Sequence, residues 1–406
     1  MMEAVIIDQA IKIDKSTWQL VKFGDVVFEP KESCRDIIAE GIEHVVGLEH
    51  IDSEDMHLKR SASSEESTTF TKMFRKGDVL FGRRRAYLKK AALASFDGIC
   101  SGDITVFRTN EELSPALLPF VVNNDKFFDY AVKHSAGGLS PRVKFKDLAN
   151  YEFLLPPKSE QARLAELLWA MDEVVEKEKK LLEKLKITWN TSIENLIHGM
   201  NLHNRTINEV LHDLSKKIEI APLEELGDLL KGRGIPKADV VEDGIPCVRY
   251  GELYTKHNQV IRDFYSYIDN ESKSKSFKLK KNDILFAGSG ETITEIGKSA
   301  AFVDNIEAYG GSDMLIFRPF EMDGYFSGYL MNSILVRQQL NKYGTGATIM
   351  HIYNSDLKKI KIPLHSIDSQ KQIAKKLEEF ANTYFIIQEQ IEKSQSLQKS
   401  LINQIF

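Results

Sequence analysis

Two stretches of this chain place apolar side chains at alternating steps of four and three residues. Leu164, Leu168, Met171, Val175, Leu182, Leu185 and Trp189 mark the first stripe. Ile373, Leu377, Phe380, Tyr384, Ile387, Ile391, Leu401 and Ile405 mark the second. Charged and polar residues fill the faces between. Such heptad spacing predicts two long helices, each with a narrow seam that needs a helical partner. At about 38 residues apiece they would extend about 57 Å. The seams match in length, so the chain supplies its own partner, and an antiparallel coiled coil is expected. Ser369 and Gln372 have the spacing of a capping box for the second helix.

Ahead of each long helix the pattern changes. Short β-type runs, DVLF at 78–81 and ITVF at 104–107, are bounded by Gly77, Gly82 and Gly102. DILF at 283–286 and LIF at 315–317 repeat them. A helix is predicted near 114–134 and again near 323–343, each stopped by a glycine loop, at 135–138 and 344–346. A shift of 209 residues carries Asn123 onto Asn332, Lys133 onto Lys342, Gly137 onto Gly346, Asp147 onto Asp356, Gln161 onto Gln370 and Ala165 onto Ala374. That period is too long for a solenoid, whose units run about 20–50 residues. It marks a duplicated domain with its own helix. The expected fold is α/β (α+β), with two similar domains, each followed by a long helix, and pseudo-two-fold symmetry. The expected boundaries are 1–157 and 219–365 for the domains, 158–200 and 366–406 for the helices, and 201–218 for a polar connector.

Composition narrows the class. With 42% hydrophobic and 28% charged residues, the 406-residue chain reads as an ordinary folded protein. No apolar run reaches the roughly 18–20 residues that span a bilayer, so no membrane partner is expected. The first residues lack a basic segment followed by an apolar core, so the expected location is cytoplasmic. Cys34, Cys100 and Cys247 are isolated, which supports neither a disulfide framework nor a zinc site. The net charge is −5, yet eight Lys or Arg lie between Lys72 and Lys90 against the single acid Asp78.

Motif-like segments weaken on inspection. FAGSG at 286–290 imitates the glycine loop of methyl-donor sites, but no NPPY-type tetrapeptide accompanies it, and the matching FGRRR at 81–85 lacks the glycines. GETITEIGKS at 290–299 has six residues between its glycines where a phosphate loop needs four. No HExxH, GxSxG or paired-carboxylate nuclease pattern is evident. The chemistry therefore points to binding, with no catalytic, cofactor or metal residues expected. Candidate contacts are Arg83, Arg84, Arg85, Tyr87, Lys89 and Lys90 at an expected loop or hairpin tip, with Ser140 and Arg142 next to the glycine loop. In the second half they are Lys231, Arg233, Arg249, Tyr250, Ser289, Thr345 and Thr348. Arginine forks suit phosphates and the O6/N7 edge of guanine, and lysine supplies a point charge. A plain solvated basic loop would show the same run.

The order of module, long helix, module, long helix resembles the specificity (S) subunit of type I restriction-modification systems. KGDVLFGRRRAYLKKAA with FDGICSGDITVFR is similar to a target-recognition signature, and NDILFAGSGETITEIGKSAAFV, GGSDMLIFRP and GTGATIMHIYNSDLKKIKIPL resemble a variant of it. SEQARLAELLWAMDE and DSQKQIAKKLEEF resemble the conserved openings of the helices. The resemblance implies a non-catalytic subunit whose two domains each read half of a bipartite, asymmetric sequence in double-stranded DNA. It implies that the helices act as a ruler and dock two methyltransferase (M) subunits carrying S-adenosylmethionine. Restriction (R) subunits using ATP and Mg would join them. A specificity subunit for a bifunctional restriction-methylation enzyme shares this architecture, and a coiled-coil scaffold that never touches DNA is a further alternative.

Overall fold

A computed structural model describes residues 13–34, 36–37, 39–64, 69–202, 204–290, 296–344 and 350–406. They form two compact units, Met1–Lys180 with Glu389–Phe406, and Leu181–Gln388.

In the first unit one sheet orders Val27–Phe28, Ile104–Thr109, Val79–Gly82 and Ala91–Leu93, and a second orders Ala62–Ser63, His44–Val46, Gly98–Cys100 and Lys72–Phe74. Strand Gln19–Lys22 pairs antiparallel with Glu152–Leu155, which returns the chain to the start of the long helix. The core centres on Phe23, Phe81, Phe107 and Phe127, all fully buried, with Phe23 and Phe107 ring centroids 5.1 Å apart in an edge contact. The alternation of the β-runs explains this: Phe81 and Val79 face the helices, while Leu80 joins the other side of the sheet.

The second unit repeats the plan with longer sheets. Gly227–Lys231, Met314–Pro319, Asp283–Ala287, Ser299–Phe302 and Gln259–Val260 form one, and Val240–Val241, Ser266–Ile268, Ile245–Val248, Tyr309–Gly310 and Phe277–Lys278 the other. Ile220–Pro222 pairs antiparallel with Lys361–Pro363. The registers correspond. Phe81 lies opposite Thr105 and Phe286 opposite Leu315, so Asp103 and Asp313 occupy equivalent positions just before their strands.

Each module holds the same ion pair, a half-buried arginine on a buried aspartate. Arg108 Nε and Nη2 donate to the two carboxylate oxygens of Asp78 at 2.7 and 2.8 Å. Arg318 Nε and Nη2 do the same to Asp283, both at 2.7 Å. Each aspartate also accepts from the backbone N–H three residues earlier, Arg75 or Lys280. This is why KGDVLF and KNDILF repeat: the aspartate closes the turn into the strand and anchors the arginine of the neighbouring strand.

The predicted helix near 114–134 is two helices, Leu118–Val122 and Asp125–Lys133, and its counterpart is Gly324–Leu330 and Ile334–Tyr343. The break follows from side-chain competition. Asn124 accepts from Phe127 N as an N-cap, and Asn123 Nδ2 donates to Pro119 O. Asn332 Nδ2 donates likewise to Gly328 O. The segment expected as a polar connector contains helix Ile207–Ser215, capped by Thr206 and Glu209, with Val210 and Leu214 packed against Leu335.

The long helices are Lys158–His198 and Ile367–Ile405. The second starts earlier than its expected capping box, and Ser366 Oγ accepts from Ser369 N in place of a Ser369–Gln372 pair. In the first unit Ala165 and Leu168 share a core with Leu401, Ile402 and Ile405, and Asp172 accepts from Gln398 Nε2 at 3.2 Å. In the second unit Trp189 meets Phe380 (ring centroids 6.1 Å) and His365 Nε2 donates to Ile197 O at 2.8 Å. These pairings run antiparallel. Leu168, Val175, Leu377 and Ile391 are buried, and Leu164, Met171, Leu182, Leu185, Ile373, Phe380, Tyr384 and Ile387 are half-buried.

Replacing Arg318 with Met leaves the fully buried Asp283 carboxylate without its cationic partner, with only Lys280 N still donating to it. The variant is expected to lose about 3–5 kcal/mol in urea unfolding of the second unit. Adding Asp283→Leu should recover much of that loss, because removing both charges also removes the buried ion's desolvation penalty.

Candidate nucleic-acid interface

After Val79–Gly82 the first module turns sharply, and this turn is laced to the glycine loop at 135–142. Arg83 N donates to Asp103 O at 3.0 Å, Val143 N to Arg83 O at 3.0 Å, and Arg85 N to Pro141 O at 2.8 Å. Arg84 and Arg142 face one another as a β-bridge. Their guanidinium groups share one carboxylate. Arg142 Nε donates to Asp103 Oδ1 at 2.7 Å, and Arg84 Nη1 to Asp103 Oδ2 at 3.3 Å. Arg84 Nη2 also donates to Ser140 Oγ at 3.1 Å. Arg142, with Arg84 adding to it against the opposing effect of burial, holds the Asp103 carboxyl below the usual carboxylate range.

Other candidates in this module lie apart from that cluster. Arg83 Nε donates inward to Val143 O at 3.1 Å, and Lys90 Nζ to Leu48 O at 2.7 Å. Lys89 is bound to Asp125 at 2.6 Å. Arg85 is exposed beside the cluster, and Tyr87 is exposed on the turn Ala86–Leu88. Two residues escaped the sequence reading. Asp103 is the pivot of the cluster; its signal was the SGD/GSD echo at 101–103 and 311–313. Leu139 is 98% exposed at the loop tip, and no pattern in the sequence marks it.

The second module keeps the backbone frame and changes the side chains. Gly288 N donates to Asp313 O and Ile352 N to Gly288 O, both at 3.0 Å, repeating the Arg83 pattern. Ser289 pairs with His351 where Arg84 pairs with Arg142. Beside this pair lies a cleft of about 740 Å³, lined by Lys231, Tyr250, Tyr254, Ser289, Asp313, His351 and Tyr353 among others. Tyr254 Oη donates to Ser289 O. A Cβ on Gly290 would lie 2.6 Å from that hydroxyl, so the glycine permits the tyrosine's approach. The FAGSG segment thus edges an aromatic cleft. Lys231, Tyr250 and Ser289 meet there. Arg233 and Arg249 are not among its lining residues, and Thr345 and Thr348 lie outside the described residues.

Comparison with known proteins agrees with the duplication. Residues 15–187 and 215–394 each match the family model described as the type I restriction modification DNA specificity domain. The chain is 24% identical over 272 residues to the type I restriction enzyme MjaVIII specificity subunit of Methanocaldococcus jannaschii, covering 65% of this chain. That match spans 63% of the relative, less than two thirds of its length. It is 21% identical over 345 residues to the putative MjaX specificity subunit of the same organism, covering 80% of this chain and 77% of that protein. The solved type I restriction-modification S subunit from M. genitalium superposes with a TM-score of 0.59 at 14% identity, over 98% of each chain. At that identity the likeness concerns the fold.

Away from the loops, Asp55, His57 and Glu176 bring ligand atoms within 4.8 Å of one another, the one such group among the described residues. Lys59 Nζ sits 2.9 Å from both Asp55 and Glu176, and Lys179 Nζ 3.0 Å from Glu176. Burial pushes the Glu176 carboxyl up, but the two lysines outweigh it and bring it down to about 2. Ammonium groups already neutralise these carboxylates, so the cluster fastens the module to its helix and does not suit a metal. His57 Nε2 completes the fastening to Asp172 at 2.7 Å. That hydrogen bond, against the opposing effect of burial and with Asp172, Glu176 and Asp55 adding charge, raises the His57 pKa above 6.5. The stabilisation is therefore full below pH 6.5 and fades as pH rises through the folded value. The melting temperature of the first unit is expected to fall over that interval, at about 2–4 °C per kcal/mol lost. In His57→Gln that slope should flatten in a pH series of calorimetric scans.

Proposed function

From a chain that belongs to the type I restriction modification DNA specificity family, we propose a subunit that reads a bipartite, asymmetric DNA sequence, one module to each half-site, and catalyses no step itself. The observation that carries this reading is one backbone frame built twice with different side chains at its exposed loops. Arg84 and Arg142 stand in one module where Ser289 and His351 stand in the other. A scaffold that only held partners would have no use for that contrast. Two surfaces asking different questions of one ligand require it. Phosphate contacts would set register, and side chains at base edges would set sequence.

The long helices serve as the ruler in this reading. A helix of 41 residues extends about 60 Å. Leu167, Val174 and Leu181 are exposed at seven-residue intervals along Lys158–His198, an apolar line suited to docking helices of M subunits. Those two M subunits would bind S-adenosylmethionine and flip the target adenines into their own pockets. R subunits would supply cleavage with ATP and Mg. No helix here is long and apolar enough to cross a membrane among the described residues.

Exchange of residues 219–365 for another module of the family should alter one half-site and leave the other unchanged, read by sequencing methylated adenines in cells expressing the chimera with its M subunit. Change in both halves, or in neither, overturns the modular assignment. Insertion of one heptad into each long helix adds about 10 Å, close to three base pairs of B-DNA. The unread spacer should lengthen accordingly, and an unchanged spacer removes the ruler.

A further inference from the structure

We propose that Arg84 and Arg142, held together on Asp103, read a guanine in the half-site of the first module. This rests on the DNA-reading function proposed above and assigns it a base and two residues.

An arginine that grips a phosphate gains nothing from an acid beside it, because the acid cancels its charge and repels the phosphate. An arginine that reads a neutral acceptor edge gains orientation from the same acid at no such cost. Asp103 takes the Nε and Nη2 side of Arg142, at 2.7 and 3.4 Å, and Nη1 of Arg84. Nη1 of Arg142 has no hydrogen-bond partner among the described residues, and its side chain is 45% exposed. Arg84 is 37% exposed, while Asp103 beneath them is only 20% exposed. Arg142 thus presents its outer Nη1 and Nη2 edge as a donor fork over a half-buried acid, Arg84 beside it is held by Asp103 and Ser140 with its Nε buried, and the trio carries the net charge of a single cation. The O6 and N7 acceptors of guanine match such a fork, whereas adenine places a donor at the same edge.

The surrounding backbone makes the pair rigid. Ala136 and Arg142 exchange both backbone hydrogen bonds at 2.9 Å, and Arg85 N is tied to Pro141 O. Ordering is complete before DNA arrives, which spares the entropy of fixing two long side chains on binding. Arg85 differs in kind. It is exposed next to the pair with no carboxylate partner among the described residues, as a phosphate contact requires. The second module supplies a built-in contrast. Its frame is the same, but Ser289 and His351 replace the arginines beside Asp313, so the guanine assignment does not extend to it.

The test uses the full chain assembled with its M subunits on the methylated target defined by sequencing. Each guanine is replaced singly by 7-deazaguanine, which removes N7 and leaves the protein untouched. One guanine of the first half-site should weaken binding by about 10-fold or more when replaced. Arg142→Lys and Asp103→Asn should relax the sequence requirement at that same position and leave the second half-site unchanged. Arg85→Gln should instead weaken binding to all sequences alike and lower the salt slope by about 1. A first half-site without a sensitive guanine, or a uniform loss in Arg142→Lys, overturns the assignment while the bipartite reading stands. A natural protein with no sequence preference in either half overturns the proposed function itself.

Discussion

A buried glutamine in the first turns of each long helix ties its module to that helix at the same point. Gln161 Oε1 accepts from Ser114 N at 2.7 Å, and its Nε2 donates to Glu112 O and Pro156 O, both at 3.0 Å. Gln370 repeats the seat with Asp323 N at 2.9 Å and His365 O at 2.8 Å. Both side chains are at most 5% exposed. A buried amide whose partners are backbone groups cannot be exchanged for an apolar residue without stranding those groups. The glutamine therefore joins three things at one point: the loop before the module's helices, the strand that closes the module, and the first turn of the long helix. Everything proposed about a ruler depends on this joint, since a module that swivelled on its helix could not hold a fixed place.

The second constraint separates frame from surface. Asp78 with Arg108, and Asp283 with Arg318, satisfy their charges within the frame. Arg83 N donates to Asp103 O and Gly288 N to Asp313 O, so the same backbone bond holds the turn in both modules whatever side chains follow it. The side chains at 84, 142, 289 and 351 therefore differ between the modules while that backbone bond is kept. A loop held in this way can change its side chains while its backbone stays in place, which is the physical condition for one scaffold to acquire many specificities.

How much of this was legible follows the same division. The heptad stripes and the paired β-runs were readable because apolar periodicity reports burial directly. The 209-residue echo singled out Asn123, Asn332, Gln161 and Gln370, all of which prove to bond backbone carbonyls. Their duty was not readable, because a glutamine's partners here lie 5 to 49 residues away in the chain. The helix break at Asn124 was missed because a continuous apolar pattern hides a local cap. The basic run was read by count, and a count does not reveal which charges are already answered.

In the proposed role a chain of net charge −5 reads DNA with few unanswered cations. Among the eight basic residues at 72–90, Lys72 pairs with Glu29, Arg75 with Glu32 and Asp97, Arg84 with Asp103, and Lys89 with Asp125. Arg83 and Lys90 bond backbone carbonyls. Lys76 and Arg85 keep exposed side chains without a carboxylate partner among the described residues. Non-specific affinity rises with the number of phosphates neutralised, so this surface would hold arbitrary DNA weakly. In the proposed role that is an advantage. A weak electrostatic background leaves discrimination to the base-edge contacts, and the ratio between right and wrong sequences, not the raw affinity, decides where a restriction complex acts.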